Sequence, residues 1–148
     1  MLKENLIEIF ERDINKLRNE ISLYKSESAL WAVEGDIKNC GGNLCLHLIG
    51  NLREFIGRIL GGVEYTRDRD KEFSLKGVSQ AALLEGVDAA NEAVKTALDK
   101  LNKDDFKKIY PIDVVKNNMT TEYFLLSLLG HLNYHLGQIN YHRRLIDK

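Results

Sequence analysis

Residues 128–145, LLGHLNYHLGQINYHRRL, contain three of the four histidines in a chain of 148 residues. At about 100° per residue in an α-helix, His131, His135 and His142 lie within about 40° of one another around the helix axis. Apolar residues border this row, whereas asparagine and arginine occupy the opposite face. The pattern predicts a long amphipathic helix, from about Thr120 to Ile146, with its histidines directed into the protein interior.

Three other stretches carry apolar residues at alternating spacings of three and four, which is typical of helices that pack nearly parallel. These predicted helices run from Leu2 to Tyr24, from about Cys40 to Leu60, and from Val78 to Leu101. The sequence therefore predicts an all-α fold, a four-helix bundle with long connecting loops, as a single domain over 1–148. Loops of about 12 to 17 residues are longer than is usual in bundles, and such loops often build a site.

Composition excludes several classes of protein. A net charge of −1 provides no electrostatic surface for nucleic acid, so no nucleic-acid partner is expected. The longest apolar run, YFLLSLLGHL, is about half the roughly 20 residues of a membrane helix, and charges near the N-terminus rule out a secretory signal. We therefore expect a cytoplasmic protein with no membrane partner, in which Cys40 and Cys45 are reduced thiols.

The spacing of the histidines limits how many of them can share one ion. His131 and His135 are about 6 Å apart along the helix axis, whereas His142 is more than about 16 Å from His131. An inward imidazole without a partner costs about 1–3 kcal/mol, and a metal ion would supply that partner to the first two. Because Leu132 follows His131, the general base of the His-Glu-x-x-His proteases is absent.

The fourth histidine, His47, lies on the second predicted helix in line with Asn51 and Glu54. Taken alone, this line is typical of a solvated helix flank, and an isolated His-x-x-x-His pair is a weak signal. Together, an inward pair and a third histidine on another helix match the three-ligand arrangement of catalytic metal sites. Imidazole ligands accept zinc, nickel, iron or manganese, so the sequence does not select the metal.

These residues carry a resemblance to a known superfamily. HLIGN, which begins at His47, and HLNYHLGQ, which begins at His131, resemble the DinB-like (YfiT-like) four-helix metalloproteins, with one histidine on helix two and His-x-x-x-His on helix four. NCGGNLCLHLIGNLREFIG and RDRDKEF are similar to an uncharacterised branch. The resemblance implies that His47, His131 and His135 bind a divalent cation and that Gln138 lies close by. It also implies a related chemistry, since characterised relatives include S-transferases and an isomerase that use low-molecular-weight thiols.

Three hypotheses of function follow. The first is a metal-dependent enzyme acting on a small-molecule substrate by thiol-dependent S-transferase chemistry, with a metal-dependent hydrolase as its alternative. Asn51, Glu54 and Gln138 would then orient the ligands or position the substrate. The second is a non-catalytic binding or assembly module in which the metal only ties two helices together. The third is a bundle whose histidines are ordinary core residues.

Three further features carry weaker hypotheses. Cys40 stands where this branch is expected to have serine, and a small buried cysteine is favoured over a reactive thiol. The charged loop around Arg67 and Arg69 is expected to be solvated, yet it could admit an anionic substrate if it borders the pocket. A stripe of glycines on the second helix would permit close contact with another helix, within the chain or across the homodimer that the resemblance implies. These glycines are Gly50, Gly57 and Gly61.

Overall fold

The chain is described over residues 1–148 in a computed structural model. The α-helices, in chain order, are α1 (Leu2–Ser22), α2 (Glu27–Leu30), α3 (Gly41–Leu52), α4 (Arg69–Ser74), α5 (Gln80–Lys100) and α6 (Thr121–Ile146). A π-helical turn, Arg53–Arg58, extends α3, and a 3-10 turn, Asp105–Lys107, precedes α6. The four long helices α1, α3, α5 and α6 correspond to the four predicted helices. The all-α class is therefore confirmed.

Side-chain caps explain where several helices begin. The Ser79 hydroxyl accepts a hydrogen bond from the Ala82 amide at 3.1 Å at the start of α5. Thr120 caps α6 in the same way. These contacts satisfy backbone donors that have no partner inside the first helical turn. At the start of α3 the N-cap residue is Cys40, whose side chain makes no capping hydrogen bond.

A single connected cluster of buried apolar side chains fills the space between the long helices. On α5 the apolar residues at spacings of four and three are buried, from Leu83 onward, and the row continues to Leu101 just after the helix. On α1 the corresponding row is buried from Leu6 to Ile21, and it continues to Tyr24 just after the helix. Helix periodicity therefore located most of the core.

Two glycines of the stripe on the second predicted helix, Gly57 and Gly61, lie against the chain's own α5. A Cβ atom built on Gly57 would lie 3.0 Å from Cβ of Ala93, and one on Gly61 would lie 2.5 Å from Cβ of Ala97. The close helix contact that the stripe predicts is thus made inside the protomer. The stripe gives no support for a dimer, and the homodimer stays a prediction.

Two predicted loops contain helical structure. The serine-rich segment before α3 includes α2, and the charged RDRDKEF segment forms α4 from Arg69 onward. Between the 3-10 turn and α6, Ile109 forms one isolated antiparallel bridge with Thr120. No helix has both the length and the apolar character that crossing a membrane would require.

Candidate metal centre

Three histidines from two helices meet at one point of the bundle. His47 comes from α3, whereas His131 and His135 come from consecutive turns of α6, and one ring nitrogen of each lies within 4.8 Å of the others. The Nε2 atoms of His47 and His131 are 3.1 Å apart. Two nitrogens bound tetrahedrally to one zinc ion at about 2.0–2.1 Å lie about 3.3 Å apart, so this spacing fits one ion. The structure brings together the three predicted ligands.

The environment of the two histidines of α6 favours neutral imidazoles. Burial, together with the neighbouring His135, His47 and Arg67, lowers the pKa of His131 to about 4. Burial also lowers the pKa of His135, against the opposing effect of its hydrogen bond with Gln138. A neutral imidazole has the free lone pair that a metal ion needs. Both histidines of α6 are therefore prepared as ligands at neutral pH.

Two of the three imidazoles are oriented by hydrogen bonds from the nitrogen that faces away from the cluster. Nδ1 of His135 donates to Oε1 of Gln138 at 2.7 Å, and Nδ1 of His47 donates to Oε1 of Glu72 at 3.0 Å. Each bond leaves Nε2 free to bind an ion. Nδ1 of His131 is buried and has no partner. Gln138 therefore lies beside a candidate ligand, at the expected position.

Glu72 of α4 is a member of the centre that the sequence analysis missed. Its carboxylate is buried and accepts hydrogen bonds from both Nε and Nη2 of Arg67, each at 2.9 Å, in addition to the one from His47. Burial alone would raise the pKa of Glu72, but the hydrogen bonds from His47 and Arg67 outweigh it and the pKa is lowered. The carboxylate also lies directly over Gly50, where any Cβ atom would displace it. Glu72 is therefore an ionised, fixed acceptor for His47.

Only a weak sequence signal pointed to Glu72. The RDRDKEF segment has the alternating charges of a solvated loop. Glu72 within it is buried because it pairs with Arg67 and because Gly50 of α3 leaves room for its carboxylate. The available hint was Asp68, whose side chain accepts a hydrogen bond from the Lys71 amide at 3.2 Å and begins α4. An N-cap of this kind predicts a helix but does not show which of its faces is buried.

The other two residues expected near the ligands have different positions. Asn51 is buried, lies beside His47 in the wall of a cavity, and its carboxamide oxygen has no hydrogen-bond partner. Glu54 is not brought to the histidines, because its carboxylate forms an ion pair with Arg58. The expected line from His47 to Glu54 assumed regular α-helical winding, which ends at Leu52 where the π turn begins.

The third histidine of α6 has a structural role. Nε2 of His142 donates to the carbonyl of Ala32 at 2.8 Å, which leaves Nδ1 to accept from the Tyr24 hydroxyl at 2.7 Å. Gly41 packs against both rings, since a Cβ atom there would contact the tyrosine hydroxyl. His142 is therefore satisfied away from the metal centre, as its distance along the helix predicted.

A cavity of about 300 Å³ opens beside the histidines. His47 and His131 form part of its wall, together with aromatic and aliphatic residues and the side chains of Asn51, Arg67 and Arg69. A larger groove of about 630 Å³ runs between α1 and α6, but it does not include the histidine cluster. Of these two cavities, the smaller is the one with candidate metal ligands in its wall.

Comparison with known proteins agrees with this description. The family profile "Protein of unknown function (DUF1572)" matches residues 3–148, so the chain belongs to this family. Its structure is similar to the crystal structure of a DinB-like protein from Bacillus cereus ATCC 10987, with a TM-score of 0.76 and 17% identity. The match covers 96% of this chain and 91% of that chain, which confirms the DinB-like fold. No curated protein matches the chain.

Proposed function

We propose that this protein is a metal-dependent enzyme in which His47, His131 and His135 hold one divalent transition-metal ion. The observation that carries the proposal is the convergence of three imidazole nitrogens within 4.8 Å beside a cavity. Three neutral ligands leave the charge of the ion uncancelled, and a bound ion would supply Lewis acidity that lowers the pKa of a thiol or of water.

Thiol-dependent S-transferase chemistry fits the cavity better than hydrolysis does. None of the residues in the cavity wall is a carboxylate, and Glu72 nearby is occupied by Arg67 and His47. A water nucleophile normally needs such a general base, whereas a thiol with a pKa of about 8.5 is converted to thiolate far more easily. In the transfer, a bond forms from sulfur to the electrophilic substrate, the leaving group departs, and the thiol proton passes to solvent.

The chain's own residues have distinct tasks in this proposal. Glu72 and Gln138 fix the rings of His47 and His135, so that Nε2 of each is directed to the cluster. Phe55 and Phe124, whose rings meet at 5.3 Å, form an apolar wall that limits the access of water. A low-molecular-weight thiol and its electrophile would meet inside this wall.

Metal analysis tests the ion site directly. Protein purified without chelator and without nickel affinity resin should contain about one equivalent of a transition metal. The His131→Ala variant should lose it, whereas the matched control His142→Gln should keep it, because His142 is bound elsewhere. Absence of metal from the wild type after incubation with zinc, nickel, iron and manganese would overturn the proposal.

A reaction screen then separates the classes of enzyme. Metal-loaded protein is incubated with several cellular thiols and electrophiles, and mass spectrometry distinguishes thioether products from products of water. Thioethers that disappear in His131→Ala support the transferase, and thiol-independent products support the hydrolase. One bound metal with no turnover in any arm would support a non-catalytic module, in which the ion ties α3 to α6.

A further inference from the structure

The wall of the cavity beside the metal centre has an apolar part and a polar, positively charged part. One part is apolar, with Phe55 and Phe124 inside and Val114 and Val115 at the mouth, where these valines are 42% and 56% exposed. The other part contains Asn51 and two arginines. Apart from the histidines, the arginines are the only ionisable residues of the wall. The wall therefore has positive charge and no compensating carboxylate of its own.

The two arginines differ in availability. Arg67 is 10% exposed and is committed to Glu72 through two hydrogen bonds of 2.9 Å. Arg69 is exposed and forms neither an ion pair nor a side-chain hydrogen bond, and its guanidinium lies 5.4 Å from the ring centre of Phe73. The same ring lies 4.9 Å from that of His47. A free guanidinium is thus positioned one aromatic ring away from a metal ligand.

Asn51 gives an independent indication that this cavity receives a polar ligand. The residue is 6% exposed, and its buried carboxamide oxygen has no partner within the protein. An unsatisfied buried acceptor costs about 1–3 kcal/mol, so a ligand that donates a hydrogen bond there would recover this energy. The volume of about 300 Å³ holds about ten water-sized groups at about 30 Å³ each.

We infer that the metal centre serves a small anionic substrate, with an oxyanion bound by Arg69 at the cavity mouth and a short apolar body against Phe55 and Val115. The inference rests on the proposed function, since it assigns the class of molecule that reaches the proposed ion. A guanidinium binds a carboxylate or phosphate through paired charge-assisted hydrogen bonds. The apolar body would cover the exposed valines, and a polar group near the reactive end would pair with Asn51.

Three thiols of matched length test this inference on the cobalt-loaded protein, in which thiolate binding produces a near-ultraviolet charge-transfer band. They are 3-mercaptopropionate, 3-mercapto-1-propanol and 3-amino-1-propanethiol. The wild type should bind the anionic thiol about tenfold to a hundredfold more tightly than the neutral one, as expected for charge-assisted hydrogen bonds. Arg69→Gln should abolish this preference, and Arg69→Glu should reverse it in favour of the amine.

The matched control is Lys71→Ala, which removes a cation from the same short helix at a position outside the cavity wall. This variant should keep the preference of the wild type. Equal affinity of the wild type for all three thiols would overturn the inference, as would an anion preference that survives in Arg69→Gln, because the carboxylate would then bind the metal itself. Failure to load cobalt, or no band with any thiol, would overturn the proposed function, and this inference with it.

Discussion

At the scale of single residues, the three candidate ligands are not equivalent. His47 donates to the carboxylate of Glu72, His135 donates to the amide of Gln138, and His131 has no partner for its buried Nδ1. A carboxylate partner increases the basicity of an imidazole more than an amide does. His47 is therefore the ligand most strongly supported by its surroundings, although it is the one that the sequence pattern supported least.

Replacement of Glu72 by glutamine tests this support. The variant loses the negative charge beside His47 and leaves the buried Arg67 cation unpaired near the ion. We expect metal affinity to fall about tenfold to a hundredfold, the usual effect of losing an outer partner of a ligand. Competition with a chromophoric chelator measures the change. Asp70→Asn on the same helix is the control, and equal affinities of Glu72→Gln and this control would contradict the assigned role.

The buried carboxylate of Asp13 should make the free energy of unfolding depend on pH, and this effect does not involve the metal centre. The carboxylate is fully buried on α1 and accepts from Arg12 at 2.8 Å and from Asn133 of α6 at 2.8 Å. Burial alone would raise the pKa of Asp13, but these hydrogen bonds outweigh it and lower the pKa. Because the folded pKa lies below the unfolded value of about 3.9, the stabilisation is present above that pH and is lost as pH falls through the folded pKa.

We therefore expect Asp13→Asn to lower the free energy of unfolding by about 1.5–3 kcal/mol at pH 7. The difference from the wild type should shrink below about pH 3.9, and urea unfolding at pH 7 and pH 3 measures it. Asp88→Asn is the control, because its ion pair with Arg18 is exposed on both sides and should contribute less than about 1 kcal/mol. A constant difference at both pH values would exclude this explanation.

At the scale of elements, apolar periodicity predicted the four long helices, because the spacing of apolar residues depends only on helix geometry and on which side faces the core. The row from Leu83 to Leu101 along α5 shows this spacing throughout, so the sequence alone identified its buried face. Burial of Glu72 could not be predicted in this way, since it depends on Gly50 and Arg67 in other segments. The position of Glu54 was wrong because no periodicity marks where α3 changes to π winding. Metal binding and the homodimer stay predictions.

The glycines allow a prediction about helix packing. Alanine at Gly61 would place Cβ 2.8 Å from the backbone Cα of Ala97 in α5, so the turn that contains Gly61 would have to move away from α5. We expect Gly61→Ala to destabilise the protein by about 1–3 kcal/mol. Gly130 on α6 has open space around it, and Gly130→Ala should stabilise the protein by about 0.5–1 kcal/mol. Urea unfolding compares the two, and a neutral Gly61→Ala would contradict the proposed close contact.

At the scale of the whole molecule, the fold and the metal centre are separable. The buried cluster that joins the long helices consists of apolar side chains and includes none of the three candidate ligands. Metal removal should therefore leave the helical circular dichroism spectrum unchanged at about 25 °C. Metal at a hundredfold its dissociation constant should add about 2.7 kcal/mol, which raises the melting temperature by about 5–10 °C. His131→Ala should show no such shift, and unfolding by chelator alone would contradict the separation.

The π turn after α3 explains how one continuous helix serves two neighbours. Its amides bond five residues back, as from Ile59 to Glu54 and from Gly61 to Ile56, both at 3.1 Å. A turn of this kind contains one residue more than the α-helical turn that it replaces, so it is equivalent to a single-residue insertion. The part before it presents His47 to α6, and the π turn with the residues after it presents Gly57 and Gly61 to α5. With the same number of residues, regular α-helical winding would rotate Gly61 by about 100° relative to His47, so the wide turn is what allows one segment to contact both helices.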